Sequence, residues 1–132
     1  MNYWANHKKL LGVALFATSF LLLSALWSAS ASLRGYLVAE FDIARGHYEL
    51  LGYGLPVEWL PDYVRLLRER YGVRYRAVTG CIVSGSLISY VDAYNRVSTA
   101  AANRKFGRDV FKECADEART TWARRTGAIM KN

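Results

Sequence analysis

Proline, cysteine and histidine are scarce in this chain, which has two of each among 132 residues. With so few prolines, and with aromatic residues at 14%, the composition is not that of a disordered chain. The cysteines and histidines lack the paired spacing of structural zinc ligands. The segment Thr79–Ser86 lacks the lysine of a phosphate-binding P-loop, and no GxSxG nucleophile motif is present. We therefore expect neither a metal nor a cofactor.

Charge is absent from one long stretch near the amino terminus. No Asp, Glu, Lys or Arg occurs from Leu10 to Leu33, and the strongly apolar part is Leu10–Trp27. As a helix this part would be about 27 Å long, close to the roughly 30 Å hydrocarbon core of a bilayer. Aromatic residues stand at both of its ends, as they do at membrane interfaces. The sequence predicts a lipid-embedded anchor and tether over residues 1–33, followed by one domain over residues 34–132.

A cleaved signal peptide is the competing interpretation of the same segment. Lys8 and Lys9 precede the apolar run, and the small residues Ala29-Ser30-Ala31 follow it. Cleavage near Ala31 would release a secreted or periplasmic domain, but the run is longer than the usual signal core of about 7–15 residues. The flanking charges favour an inside amino terminus only slightly, because arginines also follow the segment. The signal-like arrangement predicts a single-pass anchor with the domain outside the cytoplasm.

The first part of the domain has the alternating pattern of a half-buried strand. Apolar and polar positions alternate over Tyr36–Ile43, Gly46 then provides a turn, and a second apolar run covers His47–Tyr53. This order predicts a hairpin with a three- or four-residue loop, whose register stays open. A helical alternative also exists, and the alternation favours the strand; the helix would use the stripe Leu33, Leu37, Phe41 and Ala44.

The rest of the domain predicts a helix, a third strand and two further helices. Pro61 and Gly72 bound a helix from Pro61 to Tyr71, and Val73–Thr79 alternates as a strand does. Ser84 or Ser86 would begin the next helix, Gly107 would end it, and Asp109 would cap the last one.

These elements predict an α+β fold behind the transmembrane helix. The order β-β-α-β-α-α indicates a three-stranded antiparallel sheet with helices on one face. The other face would be polar, and there Glu40 and Asp42 would pair with Arg74 and Arg76.

The two cysteines are the candidate chemical groups of the domain. In an oxidising compartment, Cys81 and Cys114 would form a disulfide, and otherwise they would be buried thiols. Alternatively, Cys81 would be a nucleophile at a strand end, with His47 as its base. Nothing in the spacing requires that pairing, so the sequence favours a non-catalytic protein.

Arginine is concentrated between residues 65 and 76. Arg65, Arg68, Arg74 and Arg76 would form an anion-binding site, interleaved with Tyr71 and Tyr75. The predicted fold opposes this, because the two tyrosines would point into the core and two of the arginines would be paired. Nucleic acid is therefore not the expected partner.

These features predict a membrane-anchored module outside the cytoplasm, with an interaction or cell-envelope accessory role and a protein partner in the envelope. The sequence contains nothing that indicates its oligomeric state. The alternatives are a thiol-dependent enzyme using Cys81 and a cytosol-facing, basic anion-binding module. The domain is basic, since 16 Lys and Arg residues stand against 11 Asp and Glu residues once Lys8 and Lys9 are set aside.

Overall fold

A computed structural model describes the backbone of residues 3–80 and 82–129 and the side chains of residues 11–80 and 82–127. This part of the chain forms five helices and two strands. In chain order they are α1 Tyr3–Ala29, α2 Ala31–Ala44, β1 Glu49–Tyr53, α3 Leu60–Tyr71, β2 Arg74–Thr79, α4 Gly85–Phe106 and α5 Val110–Ile129.

The predicted first strand is wrong, because Tyr36–Ile43 lies inside helix α2. The residues that α2 buries are small and four apart: Ala31, Gly35 and Ala39. That spacing lies on one face of a helix, where small side chains allow close packing. A helix that starts directly after another also needs less nucleation than an isolated one. Two-residue alternation within a largely apolar run was therefore misleading.

The predicted three-stranded antiparallel sheet is also wrong. β1 and β2 form a two-stranded parallel sheet, with Glu49 opposite Arg74 and Leu51 opposite Arg76. Parallel neighbours need a crossover connection, and α3 provides it. The observed order of the domain is therefore α-β-α-β-α-α.

The helices that follow β1 are largely where the sequence places them. The hydroxyl of Ser84 accepts a hydrogen bond from the backbone N–H of Leu87 at 3.3 Å, and the carboxylate of Asp109 accepts one from Lys112 N–H at 3.0 Å. Gly72 and Gly107 end α3 and α4 with positive φ angles of 65° and 69°. The predicted caps at these positions are confirmed.

Helices α3 and α5 form the larger core of the domain around Val73, the residue just before β2. Tyr63, Leu67 and Tyr71 of α3 pack there against Val110, Cys114 and Ala118 of α5. A second, smaller cluster joins α2, β1 and α4 through Ala39, Leu51, Val91 and Tyr94.

Helices α2 and α4 run in the same direction. The Ser32 hydroxyl donates to the Ser89 carbonyl at 3.5 Å near their starts, and the Tyr94 hydroxyl donates to Asp42 at 2.7 Å near the end of α2. Both helices therefore start at the end of the domain where α1 leaves it, which we call the α1 end.

Strand β1 runs opposite to α4, so its carboxyl end also lies at the α1 end. Glu49 contacts Ser98, and Leu51 contacts Asn95 one turn earlier in α4. Because β2 is parallel to β1, the loops after both strands lie at the α1 end. The turns at Gly46, Gly72 and Gly107 lie at the opposite end, which we call the far end.

The side of β1 that faces away from β2 is paired by side chains of α4. Asn95 accepts from the N–H of Leu51 and donates to its carbonyl, both at 2.8 Å. The buried Ser98 donates to the carbonyl of Glu49 at 2.6 Å. Buried backbone groups need such partners, so α4 takes the place of a third strand.

Replacing Asn95 by Ala should therefore destabilise the domain. Both backbone groups of Leu51 would lose their partner, at a cost of about 1–3 kcal/mol for each group that stays buried. The measurement is urea unfolding of the full chain in detergent micelles. Arg96→Ala, at the exposed neighbouring position, is the matched control. Equal unfolding midpoints for the two variants would contradict the role of Asn95.

Gly35→Ala should also destabilise the domain, through the contact of α2 with α4. A Cβ at this position would collide with the carbonyl oxygen of Tyr90 and would lie 3.2 Å from the N–H nitrogen of Tyr94. Overpacking of this kind costs about 1–3 kcal/mol.

Gly127→Ala is the control for this substitution, because it is also a helical glycine and an added Cβ there would meet nothing within 4 Å. It should be neutral or stabilising by up to about 1 kcal/mol. Thermal unfolding of both variants in micelles tests the difference, and a Gly35→Ala protein as stable as Gly127→Ala would refute the close packing.

Candidate functional site

The predicted thiol–imidazole pair involves one residue outside the described part of the chain. That residue is Cys81, so its pairing with His47 stays a prediction. His47 is exposed at the far end, just before β1. The neighbours of Cys81 in the chain, Gly80 and Ile82, follow β2 and lie at the α1 end. His47 and the described residues Gly80 and Ile82 therefore lie at opposite ends of the sheet.

Cys114, the second predicted disulfide partner, is fully buried in α5, and the disulfide stays a prediction because Cys81 lies outside the described residues. It packs in the larger core between α3 and α5. Burial raises the pKa of this thiol, because a thiolate loses solvation among apolar side chains. Cys114 thus has the environment of a small hydrophobic residue, which was the other interpretation of its sequence position.

Arg74 and Arg76 on β2 do not pair with Glu40 and Asp42, as the predicted sheet required. Both form ion pairs with Glu49 at the start of β1, at 3.2 and 3.1 Å. The predicted partners of the two arginines are therefore wrong, because Glu40 and Asp42 belong to helix α2 and not to a neighbouring strand. Both arginines are nevertheless paired with a carboxylate, as expected. A carboxylate between the two guanidinium groups reduces their positive potential toward an anion.

Arg65 and Arg68 lie on the exposed side of α3. Arg65 pairs with Asp62 at 3.0 Å, and Arg125 of α5 pairs with the same carboxylate. Arg68 lines a shallow surface groove beside Pro61 and Glu69. The four predicted anion-binding arginines therefore belong to two separate sets, and three of them are already paired with carboxylates.

A hydroxyl–carboxylate contact joins α4 to the end of α2, where the hydroxyl of Tyr94 donates to Asp42. Burial raises the pKa of Tyr94 well above its usual range, and the bond to Asp42 raises it further. The phenol therefore stays protonated at physiological pH and acts as a hydrogen-bond donor that joins two helices. Sequence patterns did not identify this contact, since they assigned Asp42 to a strand.

At the α1 end, Arg34 stabilises the junction of the apolar helix with the domain. Its guanidinium donates to the carbonyl of Trp27 at 2.9 Å and lies 3.8 Å from the centre of the Trp27 ring. The hydroxyl of Ser30 donates to the same carbonyl at 3.0 Å. A groove opens beside this junction, and its lining residues are Trp27, Arg34, Ser84, Ser86, Leu87 and Tyr90.

In the described part of the chain, no three His, Cys, Asp or Glu side chains converge as a metal site would require. Comparison of the chain with protein-family models, curated proteins and solved structures finds no match. The geometry alone therefore guides the functional interpretation. Its main features are a lone exposed apolar helix, paired surface charges and an uneven distribution of exposed apolar side chains.

The buried state of Cys114 makes a testable prediction about its reactivity. Because a raised pKa leaves less thiolate at any given pH, Cys114 should resist iodoacetamide at pH 8 in the folded protein. It should react at the rate of an ordinary thiol after unfolding in guanidinium. The protein is reduced with a phosphine before alkylation, so that a bond to Cys81 does not interfere, and peptide mapping by mass spectrometry reads the two cysteines separately. Equal alkylation before and after unfolding would show that the thiol is accessible.

Proposed function

We propose that this chain is a single-pass membrane protein that presents a small, non-catalytic interaction domain outside the cytoplasm. The observation that carries this proposal is that the apolar helix α1 is exposed from Leu11 to Ala29. One helix of the described residues is long and apolar enough to cross a membrane, with Leu11–Ala29 at a mean hydropathy of 1.9 and none of it buried. A core helix of a soluble protein would be covered by other elements, and this one is not.

The length of the exposed run supports a spanning helix over a surface helix. Nineteen residues at 1.5 Å each extend about 28 Å, close to the hydrocarbon thickness. From Leu11 to Ala29 apolar side chains occupy all sides of the helix, whereas a helix lying in the interface needs a polar face. Trp27 lies where an interfacial aromatic is expected.

The non-catalytic part of the proposal is supported by the paired charges. Asp62 and Glu49 each join two arginines, and Cys114 is buried in the core. An interaction role is supported by the outer face of α2, where Leu33, Leu37 and Phe41 are 60%, 55% and 54% exposed. Exposed apolar groups of this kind are typical of interaction surfaces.

Phe20→Arg tests the anchor. A charged residue at the centre of a spanning helix costs about 2.5–3.5 kcal/mol for insertion. We expect a large loss of protein from the membrane pellet after alkaline carbonate extraction, while Phe20→Leu should behave as the natural chain does. Retention of the arginine variant in the pellet, or recovery of a soluble form of the natural chain starting at Ser32, would contradict the spanning anchor.

The compartment of the domain is a separate part of the proposal. Lys8 and Lys9 support an inside amino terminus, and they are opposed by Arg34 and Arg45 on the other side of α1. A reporter that is active only outside the cytoplasm, fused after Asn132, should be active. An active cytoplasmic reporter at the same position would reverse the proposed topology and leave the anchor intact.

A further inference from the structure

Exposed apolar side chains are distributed unequally between the two ends of the domain. Apart from the outer face of α2, every large apolar residue of the described domain that is exposed lies at the α1 end. They are Tyr53, Leu55, Val57, Ile82 and Ile88. Leu55 and Ile82 are the most exposed of all, at 78% and 87%.

The far end has a different surface. Its turns expose Arg45, His47, Arg108 and Asp109 together with glycines. Loops normally carry polar residues because they face water. The loops after β1 and β2 depart from this pattern, and both lie on the side where α1 leaves the domain.

The direction of α1 determines what the α1 end faces. α1 contacts the domain at the start of α2, and its side chains from Leu11 to Ala29 are largely exposed, so a spanning α1 would attach the domain to the bilayer at this end. The contact of α2 with α4 and the hydrogen bond from Arg34 to the Trp27 carbonyl join the domain to the end of α1. Leu55, Val57 and Ile82 therefore lie on the side of the domain nearest the bilayer.

We propose that the α1 end rests on the bilayer, with Leu55, Val57 and Ile82 inserted at the boundary between head groups and acyl chains. This inference depends on the anchor proposed above. Apolar side chains gain free energy at this depth in proportion to their buried area. Glu58 is the acidic residue of the same loop, and it is exposed beside Val57, where it can stay at head-group level. The contact fixes the domain against the membrane and turns the far end toward the surroundings.

Depth-dependent fluorescence quenching tests the proposal on the full chain in phosphatidylcholine vesicles. Single cysteines replace Leu55, Leu37 or His47 in a Cys81→Ser background that keeps the buried Cys114, and each is labelled with bimane. The unsubstituted background, labelled in the same way, gives the blank. The quencher is a lipid with a nitroxide just below the head group. His47 lies about 20 Å from the α1 end, the length of α2. We expect quenching at Leu55→Cys to be several-fold stronger than at His47→Cys.

Leu37→Cys controls for insertion driven by the label itself. Leu37 is also apolar and exposed, but it lies on the side of α2. Quenching at Leu37 equal to or stronger than that at Leu55 would show side-on contact and overturn the proposal. Equal quenching at Leu55 and His47 would also overturn it. Flotation of the same samples separates the two proposals, because protein that does not float with vesicles refutes the anchor, whereas floating protein with an unquenched Leu55 probe refutes only the inserted loops.

A pair of charge variants provides an independent test. With the bimane at Val57→Cys, replacing Leu55 and Ile82 by Asp should remove most of the quenching, because the carboxylates stay in water. Replacing His47 and Arg108 by Asp at the far end adds the same residues and should leave the quenching unchanged. All four positions are exposed, so neither variant removes a buried apolar side chain. Unchanged quenching in the Leu55 and Ile82 variant would overturn the inserted loops.

Discussion

The bonds between Asn95 and Leu51 hold the small sheet of this domain to its helices. Two strands alone are marginally stable in water, and their outer edges leave N–H and C=O groups without partners. The amide of Asn95 accepts from and donates to the same residue of β1, as a neighbouring strand would. Ser98 continues the pairing one turn further along α4. The strand edge is thereby buried without the need for a third strand.

Helix α4 covers β1 on one side and packs against α2 on another. Since α2 follows directly after the apolar helix α1, this contact joins α1 to the rest of the domain. Gly35 lets α2 approach the backbone of α4 more closely than any side chain would allow. Ser32 and Asp42 then fix the two helices to each other at both ends of α2. As α1 leads directly into α2, the position of the whole domain relative to α1 depends on this contact. Substitutions at the interface of α2 and α4 therefore act on both stability and orientation.

The elements bounded by local signals could be predicted from the sequence. Gly72, Gly107 and Asp109 mark helix ends through interactions within a few residues, and these predictions were correct. The partners of Arg74 and Arg76 could not be predicted, because they depend on which strands are neighbours. The role of Asn95 could not be found either, since its partners are backbone atoms 44 residues away. The sequence does not indicate which backbone groups will need a side-chain partner. For the candidate site, the burial of Cys114 followed from its helical stripe, whereas the separation of the arginines into two sets required the fold.

Helix α2 shows why apolar pattern alone misidentified the first element. Both its faces are apolar, so neither a period of two nor the stripe Leu33, Leu37 and Phe41 indicates the buried side. The larger side chains are exposed, and the smaller Ala31, Gly35 and Ala39 are buried. Close approach of two backbones can be preferred to burial of large side chains when the partner helix presents its own bulky residues, here Tyr90 and Tyr94. A helix that faces only water would leave a polar face outward, so the exposed Leu33, Leu37 and Phe41 agree with the interaction surface proposed for α2. Burial of the small residues and exposure of the large ones are therefore two consequences of the same close contact between α2 and α4.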